Sequence, residues 1–293
     1  MTDGQGPRRA GIVDAHHHLW VRARHPQSWI DPVTMAAIDA DFEPADLAPL
    51  AQAAGVTATV VVQSIASEAE TVDLLGIAAG DTLVRGVVGW VDLTAAADVV
   101  ARIDRLRAAP GGDRLVGIRH LVQSETDPAY LDRPDVRRGI AAVGAAGLVY
   151  DLLVRQHQLP MAARLAHDLP EVDFVLDHLG KPALGRPEMT EWTRGLRALA
   201  DAPNTTAKVS GLVTEVERSP WTTGDLRPAV EAALDAFGPD RLMYGSDWPV
   251  CLLASSYARW VEALAELLGG HDEADQASIW GGTARRVYGL EAS

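Results

Sequence analysis

The sequence is short of cysteine and of positive charge, and each shortage argues against a class of protein. Its one cysteine, Cys251, permits no internal disulfide, which fits a reducing compartment. Lysine and arginine together number 26 against 40 aspartate and glutamate residues, so the formal net charge is -14. Because nucleic acids and anionic membranes attract clustered cations, this balance argues against both as partners.

Long apolar runs are also missing, which argues against a signal peptide and a membrane span. The first ten residues are polar and lack the apolar run of a signal peptide. The longest uncharged stretch, residues 47–67, is interrupted by Pro49 and Gly55, so it indicates a helix end followed by a strand. We expect a cytoplasmic protein whose residues 1–10 form a flexible tail.

Apolar residues are abundant, and they are arranged in a regular alternation. They make up 47% of the 293 residues, enough material for one large core. Eight apolar, β-branched segments alternate with segments whose apolar residues recur at helical spacing. The predicted strands are residues 12–20, 57–63, 84–92, 115–120, 147–154, 173–180, 205–212 and 241–248. Capping signals predict that helices begin after Ser67 and after Thr94.

This alternation predicts parallel β/α units in one domain rather than two separate domains. Eight such units can close on themselves, so we predict an α/β fold, a (β/α)8 TIM barrel, over residues 11–293. A doubly wound open sheet is the alternative. It is less favoured because the turn after the first strand lacks the glycine-rich fingerprint of nucleotide-binding sheets.

The first predicted strand carries three consecutive histidines, His16, His17 and His18. Side chains alternate along a strand, so His16 and His18 are expected on one face and His17 on the other. Two imidazoles on one face can bind one metal ion. The alternative is that they are partly exposed strand-end histidines without a ligand.

Other polar side chains stand at the carboxyl ends of further predicted strands. They are Gln63, Trp90, Asp92, Arg119, His120, His178 and Asp247. Because the active site of a (β/α)8 barrel lies at this end of the strands, we expect these residues to surround one site. A structural histidine at 178 and a helix N-cap at 247 are the alternatives. With two or three histidines facing it, an aspartate here has both a metal and a water on which to act.

Several other residues are candidates for substrate binding. Lys208 lies inside an apolar strand, where an ammonium needs a carboxylate such as Asp151 or an anionic ligand, so a site role and a structural ion pair both stay open. Five tryptophans near strand ends and loops could stack on a sugar ring, with core packing as the alternative: Trp20, Trp29, Trp90, Trp221 and Trp248. The candidates for binding hydroxyls or a carboxylate are Gln63, Arg119, His120 and Glu125.

Six motifs together resemble the amidohydrolase superfamily. The resemblance is to its amidohydrolase 2 branch of sugar-lactone hydrolases, which includes L-fuconolactonase- and L-rhamnonolactonase-like proteins. It covers nearly the whole chain. The motifs are DAHHHLW at 14–20, GIRH at 117–120, VLDHLGKP at 175–182, KVSGL at 208–212, YGSDWPV at 244–250 and GTARRVYGL at 282–290.

The resemblance implies a distorted (β/α)8 barrel that hydrolyses a cyclic ester. It places His16, His18, His178 and Asp247 around the reacting centre, where they hold one divalent metal ion, most plausibly zinc, or none. Members with two metals add a Lys or Glu from strand four and a His from strand five. This chain has Arg119-His120 and Tyr150-Asp151 at those places, which argues against a second metal.

The expected mechanism uses Asp247, His178 and Arg119 as catalytic residues. Asp247 takes a proton from water, and the hydroxide attacks a lactone carbonyl polarised by the metal or by the imidazoles themselves. Arg119 stabilises the developing oxyanion, and the proton then passes to the leaving ring oxygen.

Two other functions stay open at this point. The first is a metal-dependent decarboxylase of a small unsaturated or aromatic acid on the same fold. The second is a catalytically inactive barrel that binds a small molecule. The expected partner is a small-molecule sugar lactone, and both a monomer and a homo-oligomer are compatible with the sequence.

Overall fold

The computed structural model describes residues 11–217 and 220–290, and the predicted tail of residues 1–10 lies outside them. Eight strands form one sheet in which each strand runs parallel to the next along the chain. They are β1 (Ile12–His17), β2 (Val56–Val62), β3 (Val84–Gly89), β4 (Leu115–His120), β5 (Val149–Leu152), β6 (Phe174–Leu176), β7 (Thr205–Val209) and β8 (Leu242–Tyr244). A parallel bridge between His17 and Trp248 brings β1 beside the end of β8, so the sheet curls into a nearly closed barrel.

Helices surround the barrel, and at least one follows each strand. They are α1 (Pro44–Ala54), α2 (Glu68–Gly80), α3 (Val99–Arg107), α4 (Pro134–Ala145), α5 (Leu159–Asp168), α6 (Met189–Ala200), α7 (Thr223–Phe237), α8 (Tyr257–Leu268), α9 (Glu273–Ala277) and α10 (Thr283–Tyr288). The predicted single-domain (β/α)8 barrel is therefore confirmed. Among the helices of the described residues, none has both the length and the apolar character of a membrane span.

The capping signals in the sequence predict two helix ends correctly and one wrongly. α1 ends at Gly55, whose φ of 78° is readily adopted only by a residue without a Cβ. α2 begins after Ser67, whose side chain accepts a backbone N–H of the first turn. The prediction that Thr94 caps a helix is wrong, because α3 begins only at Val99. The Thr94 hydroxyl instead donates to the Asp92 carboxylate at 2.6 Å.

Two apolar clusters hold the layers together. The larger lies between the strands and the helices and includes Ile103 of α3 and Leu196 of α6. The smaller draws on six strands, with Val60 and Val175 among its members, and fills the inside of the barrel. Tyr288 of α10 joins this inner cluster, so the C-terminal helix closes one end of the barrel. The opposite end, where the strands finish, is left for polar side chains.

β6 and β8 are shorter than predicted, with three residues each. The expected strands ran on to Gly180 and Trp248. The chain leaves the extended conformation earlier because His178 and Asp247 adopt left-handed φ angles of 53° and 55°. A left-handed non-glycine residue costs about 1–3 kcal/mol and occurs preferentially at functional sites. His178 and Asp247 both lie at the end of the barrel where the sequence predicts the site.

Candidate active site

A break in the regular alternation of β1 turns His16 toward the inside of the barrel. Ala15 belongs to the inner apolar cluster, whereas the Asp14 carboxylate faces outward and accepts a hydrogen bond from the Tyr257 hydroxyl of α8 at 3.0 Å. The register between β1 and β2 shifts between Asp14 and His17. Strict alternation from Ala15 would have turned His16 outward. Bulges of this kind re-aim side chains beside active sites.

His16 and His18 face one another inside the barrel, and His17 faces away, as the sequence predicts. The Nε2 atoms of His16 and His18 are 3.3 Å apart. The Nε2 atom of His17 instead lies 2.9 Å from the hydroxyl of Thr59, on the outer face of β2. Two of the three imidazoles therefore remain as candidates for the site.

His178 and Asp247 arrive from the ends of β6 and β8 and complete a compact group. The Oδ1 atom of Asp247 lies 3.8 Å from Nε2 of His16, 3.4 Å from Nε2 of His18 and 3.9 Å from Nε2 of His178. All four side chains are at most 6% exposed. Three imidazoles thus converge on one carboxylate oxygen in a place that is nearly closed to bulk water.

Each imidazole of this group has a protein partner at its other nitrogen. The partners of Nδ1 are the Val62 carbonyl for His18 at 2.8 Å, the Ser210 hydroxyl for His178 at 2.8 Å and the Asp177 carboxylate for His16 at 3.2 Å. A carbonyl oxygen only accepts, so Nδ1 of His18 carries the hydrogen and Nε2 of the neutral ring keeps a lone pair. Fixing one ring nitrogen in this way is how proteins orient metal-binding or catalytic histidines.

A glycine in the chain after β7 gives these side chains room. A Cβ at Gly211 would lie 2.7 Å from Nδ1 of His178 and 2.9 Å from Oδ2 of Asp247, closer than real Cβ atoms approach. Gly211 also has a φ of 63°. Any other residue there would push the two candidate catalytic groups apart. Sequence analysis missed this role, although Gly211 lies inside the quoted motif KVSGL.

Burial and neighbouring charges set the protonation states of the group. Burial alone would raise the pKa of Asp247, but the imidazoles of His178, His18 and His16 hold the pKa of its carboxyl well below its usual range. Burial lowers the pKa of His178 to about 4, although Asp247 opposes the shift. Burial also lowers the pKa of His16, so at neutral pH the carboxylate of Asp247 faces uncharged imidazoles of His16 and His178.

This donor set fits one divalent metal ion. Ligand atoms of His16, His178 and Asp247 lie within 4.8 Å of one another, and Nε2 of His18 adjoins two of them. A four-coordinate zinc ion with bonds of about 2.0–2.1 Å keeps its ligands roughly 3.3 Å apart. Four of the six ligand pairs have separations of 3.3 to 3.9 Å, and these pairs need only a small contraction.

Asp151 of β5 is not free to ligate a second ion, because it is already in an ion pair. Nζ of Lys208 lies 2.5 Å from Asp151 and 3.0 Å from Asp177, and all three side chains are fully buried. Lys208, for which the sequence left a site role and a structural ion pair open, thus forms an ion pair with Asp151. Arg119 donates to the other oxygen of Asp177 at 2.9 Å, so two cations balance two carboxylates behind His16. Nζ of Lys208 is 3.2 Å from Nδ1 of His16, on the side of the ring away from Asp247.

His17 gives a testable link between this strand and acid stability. Burial lowers the pKa of His17 to about 3, below the value near 6.5 expected when the chain is unfolded. Between the two pKa values only the unfolded state gains a proton at His17. The free energy of unfolding therefore has its full value above about pH 6.5 and falls as the pH drops. The slope is about 1.4 kcal/mol per pH unit. We expect the free energy of unfolding of His17→Gln, measured in urea at pH 7, 6 and 5, to fall less steeply with decreasing pH than that of the wild type. Parallel curves for the two proteins would contradict the assignment.

A cavity of about 160 Å³ opens onto the group at the carboxyl ends of the strands. Its polar and aromatic lining consists of His18, Trp29, Ser64, Arg119, Gln123, Ser124, His178, Lys181 and Asp247. Four of the five predicted catalytic and metal-binding residues, His18, His178, Asp247 and Arg119, are among them. Of the predicted substrate-binding residues, Trp29 and again Arg119 line the cavity. Its size suits a ligand of one small ring, since pockets for drug-sized molecules start at about 300 Å³.

Two of the predicted substrate-binding residues lie behind the cavity wall. Trp20 is 3% exposed and donates its ring N–H to the carbonyl of Ala40 at 2.8 Å. It packs edge-on against Trp29, which does line the cavity. The side-chain amide of Gln63 donates to the backbone carbonyl of Arg119 at 3.1 Å. Both residues support lining residues instead of forming the surface themselves.

Three further predicted residues bind one another. Trp90 donates its ring N–H to Nδ1 of His120 at 2.9 Å, and Nε2 of His120 lies 2.6 Å from Glu125. The His120 ring also stacks on Tyr130, with centroids 4.7 Å apart. The cluster stands after β3 and β4, as expected of strand-end residues. Its polar atoms are engaged within the protein, and none of its members lines the site cavity.

Sequence analysis missed four polar lining residues, Ser64, Gln123, Ser124 and Lys181. Ser64 directly follows Gln63, so strand two was assigned to the site correctly but one residue too early. Lys181 is part of the quoted motif VLDHLGKP and has a left-handed φ of 56°. Only the position after a strand end could have indicated these residues, because serine, glutamine and lysine are ordinary in loops.

Comparison with known proteins shows the family of the chain. A sequence model of the family described as Amidohydrolase matches residues 13–290. An L-fucono-1,5-lactonase from Burkholderia multivorans is 41% identical over 296 residues, covering 95% of this chain and 96% of the relative. An L-fucono-1,5-lactonase from Burkholderia ambifaria is 36% identical over 285 residues, covering 95% of this chain and 96% of the relative.

A solved structure is similar over the same length. The crystal structure of an amidohydrolase from Burkholderia multivorans with bound zinc has a TM-score of 0.89 and 39% sequence identity. The match covers 96% of this chain and 100% of that one.

Proposed function

The chain belongs to the amidohydrolase family, and we propose that it hydrolyses the ring ester of a six-membered sugar lactone such as L-fucono-1,5-lactone. The observation that carries this proposal is the group described above: one ionised carboxylate, Asp247, facing three imidazoles at the wall of a cavity for one small ring. The two lactonase relatives support the choice of substrate class.

Asp247 is the proposed general base. Its low pKa keeps it ionised at neutral pH, so it can accept a hydrogen bond from a water and take the proton as that water attacks the lactone carbonyl. Because the site is nearly closed, the proton stays on Asp247 until the ring oxygen leaves and receives it. The carbonyl carbon becomes the carboxylate carbon of the open-chain acid.

His16, His18, His178 and Asp247 are the proposed ligands of one divalent ion, and imidazole with carboxylate favours zinc. A zinc-containing structure of similar sequence supports this choice. Such an ion, when bound, supplies positive charge that polarises the lactone carbonyl.

Arg119 is the proposed stabiliser of the charge that develops on the carbonyl oxygen. Its guanidinium lines the cavity, is 2% exposed and lies 3.4 Å from Nε2 of His16. Asp177 and the carbonyl of Gln63 hold it in place, so it needs no rearrangement during the reaction. Fixed donors in a water-poor site are the most effective stabilisers of an oxyanion.

Trp29 is the proposed platform for the apolar face of the sugar ring. It lines the cavity, is 39% exposed and has its ring N–H fixed by Gln27 at 2.8 Å. Trp29→Ala should raise KM about fivefold, because a stacking contact contributes about 1 kcal/mol, and leave kcat within about threefold. Steady-state kinetics would measure both constants. Trp221→Ala, outside the cavity, is the matched control. An equal loss of kcat in the Trp29 variant would contradict a pure binding role.

A panel assay distinguishes the three functions that the sequence left open. The protein is offered sugar lactones of five- and six-membered rings and small unsaturated or aromatic acids, while proton release and carbon dioxide are recorded together. Proton release from lactones without carbon dioxide is expected. Carbon dioxide from an acid would establish the decarboxylase instead. Binding without turnover of any compound would establish the inactive barrel.

A further inference from the structure

A buried carboxylate outside the proposed mechanism holds Ser64, one of the residues at the cavity wall. Glu70 of α2 is 2% exposed. It accepts the backbone N–H of Ser64 at 3.0 Å, the backbone N–H of Ile65 at 3.1 Å and the hydroxyl of Ser64. One acidic side chain therefore fixes the segment that follows β2, both its backbone and the direction of its hydroxyl.

The contact with Glu70 decides what Ser64 can offer a ligand. The two backbone groups that contact Glu70 are N–H donors, so its carboxylate is the acceptor in this network. The single hydroxyl hydrogen of Ser64 therefore points at Glu70. Ser64 Oγ is left with lone pairs alone for the cavity. Donating a hydrogen bond to the Glu70 oxygen also polarises the hydroxyl and makes its own oxygen a stronger acceptor.

Two other residues that line the cavity have the opposite hydrogen-bonding character. Arg119 at the end of β4 and Lys181 after β6 line the same cavity and carry only donors. The cavity thus presents a hydrogen-bond acceptor after β2 and hydrogen-bond donors after β4 and β6. In a space of about 160 Å³, one small ring lies close to both kinds of group.

A lactone that carries a hydroxyl group can satisfy both kinds of group. Its carbonyl and ring oxygens accept hydrogen bonds, so they suit Arg119 and leave Ser64 unpaired. A hydroxyl on the ring can donate to Ser64. We propose that Ser64, oriented by Glu70, is a specificity-determining residue that accepts a hydrogen bond from a substrate hydroxyl and so selects hydroxylated lactones over unsubstituted rings. This inference rests on the proposed lactonase function.

The test compares two six-membered lactones, L-fucono-1,5-lactone and the unsubstituted δ-valerolactone, in wild-type protein and in Ser64→Ala. Removing the acceptor should lower kcat/KM for the hydroxylated lactone about 10- to 100-fold, the range for a hydrogen bond in a charged network. The rate with δ-valerolactone should change less than about threefold. Glu70→Gln, which lets an amide donate to Ser64, should shift the ratio of the two rates in the same direction.

Ser255→Ala, an exposed serine outside the cavity, is the matched control and should leave both rates unchanged. Equal losses with both lactones in Ser64→Ala would mean that Ser64 is structural and would overturn the inference. An unchanged ratio in both the Ser64 and the Glu70 variant would overturn it as well. A wild-type protein inert toward every lactone is a different result, which overturns the proposed function and this inference together.

Discussion

Asp247→Asn is expected to lower kcat for lactone hydrolysis by about 1,000-fold, within the range for loss of a general base. The amide has the shape of the carboxylate but cannot take a proton from water. Asparagine also adopts left-handed backbone angles readily, so the φ of 55° at this position should persist in the variant. Stopped-flow or indicator assays of proton release would measure the loss.

Asp92→Asn is the matched control for this substitution. Asp92 is another carboxylate after a strand of the same barrel, and it accepts hydrogen bonds from the Thr94 backbone and hydroxyl. It does not line the site cavity. Its variant should keep near-normal turnover, and both variants should unfold within a few degrees of the wild type. Near-normal turnover in Asp247→Asn would remove Asp247 from the mechanism.

Chelation is expected to abolish more than about 90% of the activity and to lower the unfolding temperature. An ion whose free concentration is one hundred times its dissociation constant stabilises the folded state by about 2.7 kcal/mol. This contribution is lost when the ion is removed. Added zinc should restore both properties. Elemental analysis should find about one metal per chain before treatment, because the proposed donors form a single group.

Two histidine variants separate the metal effect from general damage. His178→Gln removes a proposed ligand and should make the unfolding temperature insensitive to added zinc. His167→Gln alters an exposed histidine of α5 and should respond to zinc as the wild type does. Full activity in protein with less than about 0.1 metal per chain would show that the imidazoles polarise the carbonyl without an ion.

The barrel could be predicted from the sequence because its signals are local. Each β-branched run and each helical stripe can be read within about ten residues, and their alternation leaves few topologies. The ends of β6 and β8 could not be predicted in the same way. Left-handed angles at His178 and Asp247 are rare outside glycine, and only contacts distant in sequence stabilise them.

The candidate site could be predicted as a set of strand ends but not as a set of contacts. Because Trp90, His120 and Glu125 follow the ends of predicted strands, the sequence predicts the correct end of the barrel for them. Nothing in the sequence shows that they bind one another. The same limit explains why Gln63 was chosen over Ser64. Which of two successive residues faces the cavity depends on the register with β3 and on the carboxylate of Glu70, six residues beyond Ser64.

The central claim is that an activated water attacks the carbonyl carbon of a sugar lactone. Hydrolysis of L-fucono-1,5-lactone in water enriched in ¹⁸O, followed by ¹³C NMR of the product, tests it most directly. The account predicts one ¹⁸O atom on the carboxylate carbon and none on the carbon that bore the ring oxygen. Label on the hydroxyl-bearing carbon, or no enzyme-dependent label at all, would contradict it.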